Sequence, residues 1–317
     1  MTLPSGETLP LMVDVQGFAG SVHGQAGLTC VDCHRDYDGY PHPARFDASL
    51  RDFQLTHYTL CQDCHLPQYQ AQLDSVHQRA LASGRRDAAI CTDCHGAHEV
   101  VSPDEHAASI PQTCSRCHAT IYEQYGESVH GAALLETANP DVPTCVDCHG
   151  VHNIADPLTA GFRLASPDIC AGCHADPERM DPYGISTAVV ETYVADFHGT
   201  TTTLFEPRSP QNPPDEAICI DCHGIHDIKP VDDPASPVVR ENLLTTCQQC
   251  HPAAGEHFPA AWASHYIPSP DHNPIVYHVG EFYATLLPTA GVLLGAVVAA
   301  DVVGGLWRLA RKWVRGR

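Results

Sequence analysis

The chain has 317 residues, of which 38 are acidic and 17 are basic, so its formal net charge is −21. All of the acidic excess lies in residues 1–278, which hold 36 Asp and Glu against 12 Lys and Arg. A field of this sign repels polyanions and attracts basic proteins or cations, so the composition argues against a nucleic-acid partner. The 26 prolines and 23 glycines argue against long regular elements in most of the chain.

The most specific pattern is Cys-x-x-Cys-His, which occurs eight times and uses all 16 cysteines. It is the attachment signature of c-type haem, in which two thiols add to the vinyl groups of the macrocycle and the adjacent histidine becomes the proximal iron ligand. We number the motifs 1 to 8 in chain order. Their cysteines are Cys30, Cys33, Cys61, Cys64, Cys91, Cys94, Cys114, Cys117, Cys145, Cys148, Cys170, Cys173, Cys219, Cys222, Cys247 and Cys250. Their proximal histidines are His34, His65, His95, His118, His149, His174, His223 and His251.

Paired cysteines also form disulfides, zinc sites and iron–sulfur clusters. Those uses do not place a histidine after the second cysteine of every pair, whereas haem attachment does. The sequence therefore predicts eight covalently bound c-type haems, with structural zinc as the remaining alternative.

Haem is attached to such motifs on the extracytoplasmic side, so an export signal is expected ahead of motif 1. The opening segment, Met1 to Gly20, has neither a basic n-region nor a sustained apolar stretch. We therefore expect that the leader is missing from this chain.

The motifs fall into four two-haem units, at about residues 20–70, 71–125, 126–180 and 190–255. Each unit begins with a lone histidine, which stands in Ser-Val-His in units one to three and in Asp-Phe-His in unit four. In units two to four the first motif extends to Cys-His-Gly-x-His. Two spare histidines for two haems predict an imidazole on the second, distal face of every iron. The predicted distal ligands are His23, His42, His77, His98, His130, His152, His198 and His226.

Three residues are too short a reach for a Gly-x-His histidine to cap the far face of its own haem, so we expect it to ligate a neighbouring one. Unit one lacks Gly-x-His; His42 occupies that slot, and His57 competes with it. The remaining histidines His106 and His257 are expected to lie outside the ligand set, as is His272. With only three methionines in the chain, bis-histidine ligation and low reduction potentials are expected.

Residues 1–278 leave roughly 35 residues for each haem, which is too little polypeptide for an ordinary apolar core. The haems themselves are therefore expected to form the interior. The predicted fold is that of a multihaem cytochrome c, with mostly short helices and irregular loops packed around eight haems in one extracytoplasmic domain.

The composition changes after residue 278. Ala284 to Ala300 is an uncharged run, and apolar residues beyond it bring the stretch to about the 20 that a transmembrane helix needs. Residues 279–309 are predicted to be a juxtamembrane segment and a single transmembrane helix, with a buried helix of a soluble protein as the alternative. The basic tail, 310–317, is predicted to be cytoplasmic, which places the haem domain in the periplasm. Asp301 could be hydrated at the interface, contact a partner helix, or serve a proton or quinone.

The Ser-Val-His and Cys-x-x-Cys-His-Gly-x-His repeats resemble those of membrane-anchored octahaem and related c-type cytochromes of bacterial respiratory chains. They are distantly similar to small periplasmic quinol dehydrogenases, which differ in having an N-terminal anchor and four or five haems. The resemblance implies electron transfer between the membrane quinone pool and an extracytoplasmic acceptor. The implied partners are a b-type cytochrome or other quinone-reactive subunit and a soluble or surface redox protein.

Other functions stay open at this point. A multihaem oxidoreductase acting on a small nitrogen or sulfur compound would need one iron with an open face, and the inventory of eight distal histidines for eight haems argues against it. No catalytic residue is predicted. The anchor argues against an extracellular cytochrome filament. The histidines just before the anchor could complete a haem, take a quinol proton or lie among lipid headgroups; they are His265, His272 and His278.

Overall fold

The structure is a computed structural model of the chain, and it describes residues 1–35, 47–102, 108–204, 217–259, 265, 267–271 and 273–315. Over these ranges it consists of helices, turns and loops, and the only β-type pairing is a single bridge between Thr2 and Thr8. The expected fold of mostly short helices and loops is confirmed.

Most of the described helices have nine residues or fewer; the exceptions are α12, with 15, and α18, with 42. The helices are α1 Val15–Gly20, α2 Val22–Gln25, α3 Cys30–Cys33, α4 Leu50–His57, α5 Leu66–Leu73, α6 Val76–Ala82, α7 Cys91–His95, α8 Ser109–Ser115, α9 Ala119–Gly126, α10 Val129–Thr137, α11 Cys145–His149, α12 Ala160–His174, α13 Pro177–Met180, α14 Val189–Ala195, α15 Phe197–Leu204, α16 Cys219–His223, α17 Leu243–Gln248 and α18 Pro274–Arg315. Two 3₁₀ turns occupy Tyr58–Asp63 and Asp181–Tyr183.

The first haem motif of each unit forms a single helical turn, which its own aspartate caps. That aspartate precedes the second cysteine and accepts the backbone N–H of the residue before the first cysteine, which satisfies a donor that the helix leaves unpaired. The bonds are Thr29 to Asp32, 2.7 Å; Ile90 to Asp93, 2.8 Å; Thr144 to Asp147, 2.7 Å; and Ile218 to Asp221, 2.8 Å. In units two to four a glycine with positive φ ends this turn: Gly96, Gly150 and Gly224.

The lone histidine of each unit lies at a helix corner. In units one, three and four, the helix that precedes the corner comes so close that only glycine fits after the histidine. A Cβ atom at Gly24, Gly131 or Gly199 would lie 2.1, 1.8 or 2.1 Å from the backbone oxygen of Phe18, Tyr125 or Tyr193. These distances are far below van der Waals contact, which gives a physical reason for the glycine that follows the lone histidine in units one, three and four.

Successive units are joined by a repeated backbone hydrogen bond. The donor is the residue before the lone histidine, and the acceptor lies two residues beyond the Gly-x-His histidine of the next unit. The bonds are Val22 to Val100, 2.9 Å; Val76 to Ile154, 2.9 Å; and Val129 to Ile228, 2.8 Å. The lone-histidine corner of one unit therefore docks on the Gly-x-His loop of the following unit.

Few apolar side chains are buried in the described residues. The buried ones are Leu3, Leu9, Tyr58, Ala88, Ile90, Leu134, Met180, Ile218 and Ala254. They are spread along the chain, and two of them are alanines. This pattern agrees with the expectation that polypeptide alone does not supply an ordinary core.

The C-terminal helix α18 is long and apolar enough to span a membrane, with a mean hydropathy of 2.0 over its most apolar window and none of that window buried. It begins at Pro274, ahead of the predicted juxtamembrane boundary at 279. At 1.5 Å per residue it is about 63 Å long, roughly twice the hydrocarbon thickness of a bilayer. The guanidinium of Arg311 lies 3.6 Å from the ring centre of Trp307, a cation–π contact near its C-terminal end.

The close helix corners predict a strong effect of one added methyl group. Gly131→Ala is expected to destabilise the protein by about 1–3 kcal/mol, because its Cβ would overlap the Tyr125 carbonyl. Gly161→Ala is the matched control, since Gly161 lies in α12 and its added methyl group would have no neighbouring atom within 4 Å. Thermal unfolding of the haem-loaded proteins measures the difference. Equal stability of the two variants would contradict the described corner.

Candidate haem-binding site

The histidine rings of the described chain form pairs with a characteristic spacing. An imidazole nitrogen bonds a metal at about 2 Å and lies about 1.1 Å from its ring centre, so two rings on opposite faces of one metal have centres about 6 Å apart. Every proximal histidine has at least one other histidine ring at this spacing. The pairs are His34–His98, 6.1 Å; His65–His23, 6.0 Å; His95–His152, 6.1 Å; His118–His77, 6.2 Å; His149–His226, 6.1 Å; His174–His130, 6.2 Å; His223–His265, 6.2 Å; and His251–His198, 6.3 Å. The residues present therefore fit an iron between each pair.

The pairs follow a regular order along the chain. The proximal histidine of each even-numbered motif pairs with the lone histidine of its own unit, for example His118 with His77. The proximal histidine of each odd-numbered motif up to motif 5 pairs with a histidine from the next unit, for example His95 with His152. Imidazoles thus cross from each unit to the one before it.

Motif 1 has two candidate partners. The ring of His34 lies 6.1 Å from that of His98 and 5.9 Å from that of His57. His57 also stacks on Phe53, with ring centres 4.1 Å apart, and its Nδ1 lies 2.8 Å from the Phe53 carbonyl oxygen. His42 lies outside the described residues.

The fourth unit has no following Gly-x-His loop, and His265 takes that place beside His223. The role of His265 could not be fixed from sequence, because it stands in no repeated motif and lies 14 residues beyond the last Cys-x-x-Cys-His. The signal in the sequence was the repeat itself: motif 7 is the only odd-numbered motif without a later unit to supply a partner.

Besides His57, two other described histidines stand outside these eight pairs. His257 and His278 are exposed. The ring of His278 makes an edge contact with Tyr277, with centres 5.3 Å apart. His106 and His272 lie outside the described residues.

Burial favours the neutral imidazole that can ligate a metal. It lowers the pKa of His130 to about 4, with a further contribution from neighbouring His174. Burial likewise lowers the pKa of His223, and the ring of His265 adds to the effect. The Oγ1 atom of Thr192 lies 3.4 Å from Nδ1 of His265 and orients that ring.

Neighbouring units bring the first cysteines of two motifs together. Cys91 donates a thiol hydrogen bond to Cys61, which lowers the pKa of the Cys61 thiol to about 7. Cys145 and Cys114 make the same contact, and so do Cys170 and Cys219. In a haem-loaded chain these sulfur atoms would be bonded to the macrocycles and could not donate such hydrogen bonds. The contacts still show which motifs are neighbours: motif 2 lies next to motif 3, motif 4 next to motif 5, and motif 6 next to motif 7.

The two motifs within each unit are also neighbours. Burial raises the pKa of Cys33, and the nearby thiol of Cys61 raises it further. Cys33 of motif 1 therefore lies close to Cys61 of motif 2. Burial and then the thiol of Cys114 raise the pKa of Cys94. Burial, the aspartate of the same motif and then a thiol of the next motif raise the pKa of Cys148, beside Cys173, and of Cys222, beside Cys247. Each motif therefore adjoins the next, and the eight motifs follow one another in sequence order.

Two arginines fasten neighbouring units at their haem motifs. Arg163, in the helix that carries motif 6, makes a two-point ion pair with Asp221 of motif 7, with Nη1–Oδ1 2.8 Å and Nη2–Oδ2 2.7 Å. Arg51, ahead of motif 2, reaches Asp93 of motif 3 at 2.9 Å. Both aspartates also cap their motif turns, so each ion pair holds the start of an attachment site.

A structural zinc site needs about four converging Cys, His or carboxylate ligands. Over the residues that the structure describes, no group of three or more such side chains could hold a metal ion. The observed arrangement is instead one of opposed imidazole pairs beside cysteine pairs.

Opposed imidazoles next to Cys-x-x-Cys-His turns are the ligand arrangement of a multihaem c-type cytochrome. Residues 85–175 match the model of the cytochrome c3 family. This segment contains motifs 3 to 6 and is a cytochrome c3-like domain, for which the family implies covalently bound c-type haems and multihaem electron transfer. No curated protein and no solved structure shows significant similarity to the chain.

Removal of the ion pair between Arg163 and Asp221 is expected to reduce the stability of the protein measurably. Arg163→Gln is expected to cost about 1–2 kcal/mol, because a half-buried carboxylate loses two charge-assisted hydrogen bonds. Arg85→Gln is the control, since the pair that Arg85 makes with Asp87 is 3.4 Å long and its side chains are 70% and 75% exposed. Denaturant unfolding, followed by haem absorbance, compares the two. A loss no larger in Arg163→Gln than in Arg85→Gln would contradict the proposed importance of the contact.

Proposed function

We propose that this chain is an octahaem electron-transfer protein that carries electrons between the membrane quinone pool and an extracytoplasmic acceptor, working with a b-type cytochrome or another quinone-reactive subunit. The observation that carries the proposal is the set of eight histidine pairs with ring centres 6.0–6.3 Å apart, one for each Cys-x-x-Cys-His motif. A protein with an imidazole on both faces of every iron has no open position for a substrate and can only accept and pass on electrons.

The proposed ligand set follows the pairing of the units. We assign His98 to motif 1, because it occupies the position that His152 and His226 occupy relative to motifs 3 and 5. His265 completes motif 7. The assignment uses His265 in place of His42 and leaves His57 as a neighbour of the first site.

When bound, haem supplies a one-electron iron couple, which paired imidazoles hold at lower potential than a histidine–methionine pair does. The chain contributes tethers, axial ligands and spacing. Its cysteines fix each macrocycle, its crossed histidines tie neighbouring units, and the contacts between successive motifs would place successive haems close together. Electrons would then move along a row in sequence order, from one end of the domain to the other.

The membrane end of this row is proposed to hold motifs 7 and 8. His265 stands nine residues before Pro274, where α18 begins, and a chain of that length spans at most roughly 30 Å. The apolar, exposed helix α18 supports a membrane anchor, and its basic C-terminal end supports a cytoplasmic tail with the haem domain in the periplasm. Motif 1 would then face the acceptor.

Carbon monoxide tests the closed coordination. It binds ferrous haem only where one axial position is open, so the dithionite-reduced protein is expected to show a negligible change in its Soret band. A large change would favour the alternative function, an oxidoreductase acting on a small nitrogen or sulfur compound. His265→Ala is expected to create one carbon-monoxide-binding haem in eight, whereas His257→Ala, at an exposed histidine, is expected to create none.

Haem content provides a separate test of the attachment sites. Pyridine haemochromogen absorbance, measured against protein concentration, is expected to give eight haems per chain, because each motif has both cysteines and its histidine. Metal analysis is expected to give iron in the same ratio. Bound zinc without porphyrin would overturn the proposal.

A further inference from the structure

The residue two positions before the lone histidine differs between the units. It is serine in units one to three, where the hydroxyl accepts a backbone N–H from the first turn of the next helix. These bonds are Gly24 to Ser21, 3.1 Å; Gln78 to Ser75, 3.1 Å; and Gly131 to Ser128, 3.0 Å. The three serines are 1–2% exposed, so their hydroxyls serve as neutral, buried helix caps.

Unit four has Asp196 at this position, and its carboxylate also reaches the histidine ring. Oδ2 of Asp196 accepts the backbone N–H of His198 at 3.2 Å and lies 3.3 Å from Nδ1 of the same residue. The His198 ring pairs with His251 of motif 8. Because the carboxylate lies beside Nδ1 of His198, Nε2 is the ring nitrogen that can ligate the iron.

The same corner supports the distal histidine of motif 7. Thr192 is in α14, one helical turn before Asp196, which follows the end of that helix. Its Oγ1 atom lies 3.4 Å from Nδ1 of His265. Burial lowers the pKa of His265, and the nearby charge of Asp196 opposes that effect. The distal histidines of motifs 7 and 8 therefore lie beside the same helix corner, which carries the negative charge of Asp196. Units one to three have a neutral serine at the equivalent position.

We propose that Asp196 is a positioning residue that lowers the reduction potential of the haem at motif 8 below those of the equivalent haems at motifs 2, 4 and 6. A carboxylate on Nδ1 makes an imidazole a stronger electron donor, and this favours the oxidised, more positive iron. The side chain of Asp196 is 33% exposed, so water weakens its charge without removing it.

This inference rests on the proposed bis-histidine electron-transfer function and adds a direction to it. A low-potential haem beside the membrane anchor gives up electrons readily to haems farther along the row. The arrangement favours flow from the membrane towards motif 1, with reduced quinone as the class of donor and an extracytoplasmic oxidant as the acceptor.

The test is a potentiometric titration of the full-length, haem-loaded protein in detergent. Asp196→Ser gives unit four the residue of the other three units, and Asp196→Asn removes the charge while keeping a polar side chain of the same size. In both, one haem of eight is expected to become about tenfold easier to reduce, which corresponds to about 59 mV for one electron. The low-spin ferric resonance spectrum should change in one component.

Asp14→Ser is the control, because Asp14 also caps a helix through its side chain, at 2.9 Å from the Gln16 nitrogen. It should leave all potentials unchanged. Unchanged potentials in both Asp196 variants with full haem content would overturn the tuning role, and so would a shift in Asp196→Ser that is absent in Asp196→Asn. Carbon monoxide binding by the unsubstituted protein would instead overturn the ligation on which the inference rests.

Discussion

The opposed histidine pair is the constraint on which the rest of this structure depends. Each pair joins two segments that lie apart in sequence, and a later segment of the chain supplies one member of every odd-numbered pair, as with His95 and His152. The chain buries few large apolar side chains of its own over its described residues. Short helices of four to nine residues are marginal in isolation, so they need cross-connections of this kind to hold a defined arrangement. Haem ligation would supply both the cofactor site and much of the tertiary structure.

Much of this arrangement could be predicted from sequence because it is local. The Cys-x-x-Cys-His spacing fixes the attachment residues, and the many prolines and glycines predict short helices. The three-residue Gly-x-His spacing is too short for a histidine to reach round its own macrocycle, and the structure places His98 and His226 beside neighbouring motifs. The apolar run predicted a helix long enough to cross a membrane, which α18 is.

The parts that sequence could not supply depend on how separate segments meet. His265 stands in no motif, and only its 6.2 Å spacing from His223 brings it into the candidate set. The order of the motifs in space emerges from contacts such as Cys61 with Cys91, which no spacing encodes. The need for Gly131 after His130 comes from a helix corner in which the Tyr125 carbonyl leaves no room for a methyl group, and the sequence pattern alone did not indicate it.

Ligation across unit boundaries has a consequence for how such a chain would mature. A polypeptide that crosses a membrane from its N-terminus presents unit one first, yet His98, the proposed partner of His34, belongs to unit two. Each odd-numbered iron would keep a vacant face until the following segment had been translocated. The last vacancy, at motif 7, would close only when His265 emerged, nine residues ahead of α18. If α18 anchors the chain as proposed, completion of the haem row would immediately precede arrest of the chain in the bilayer.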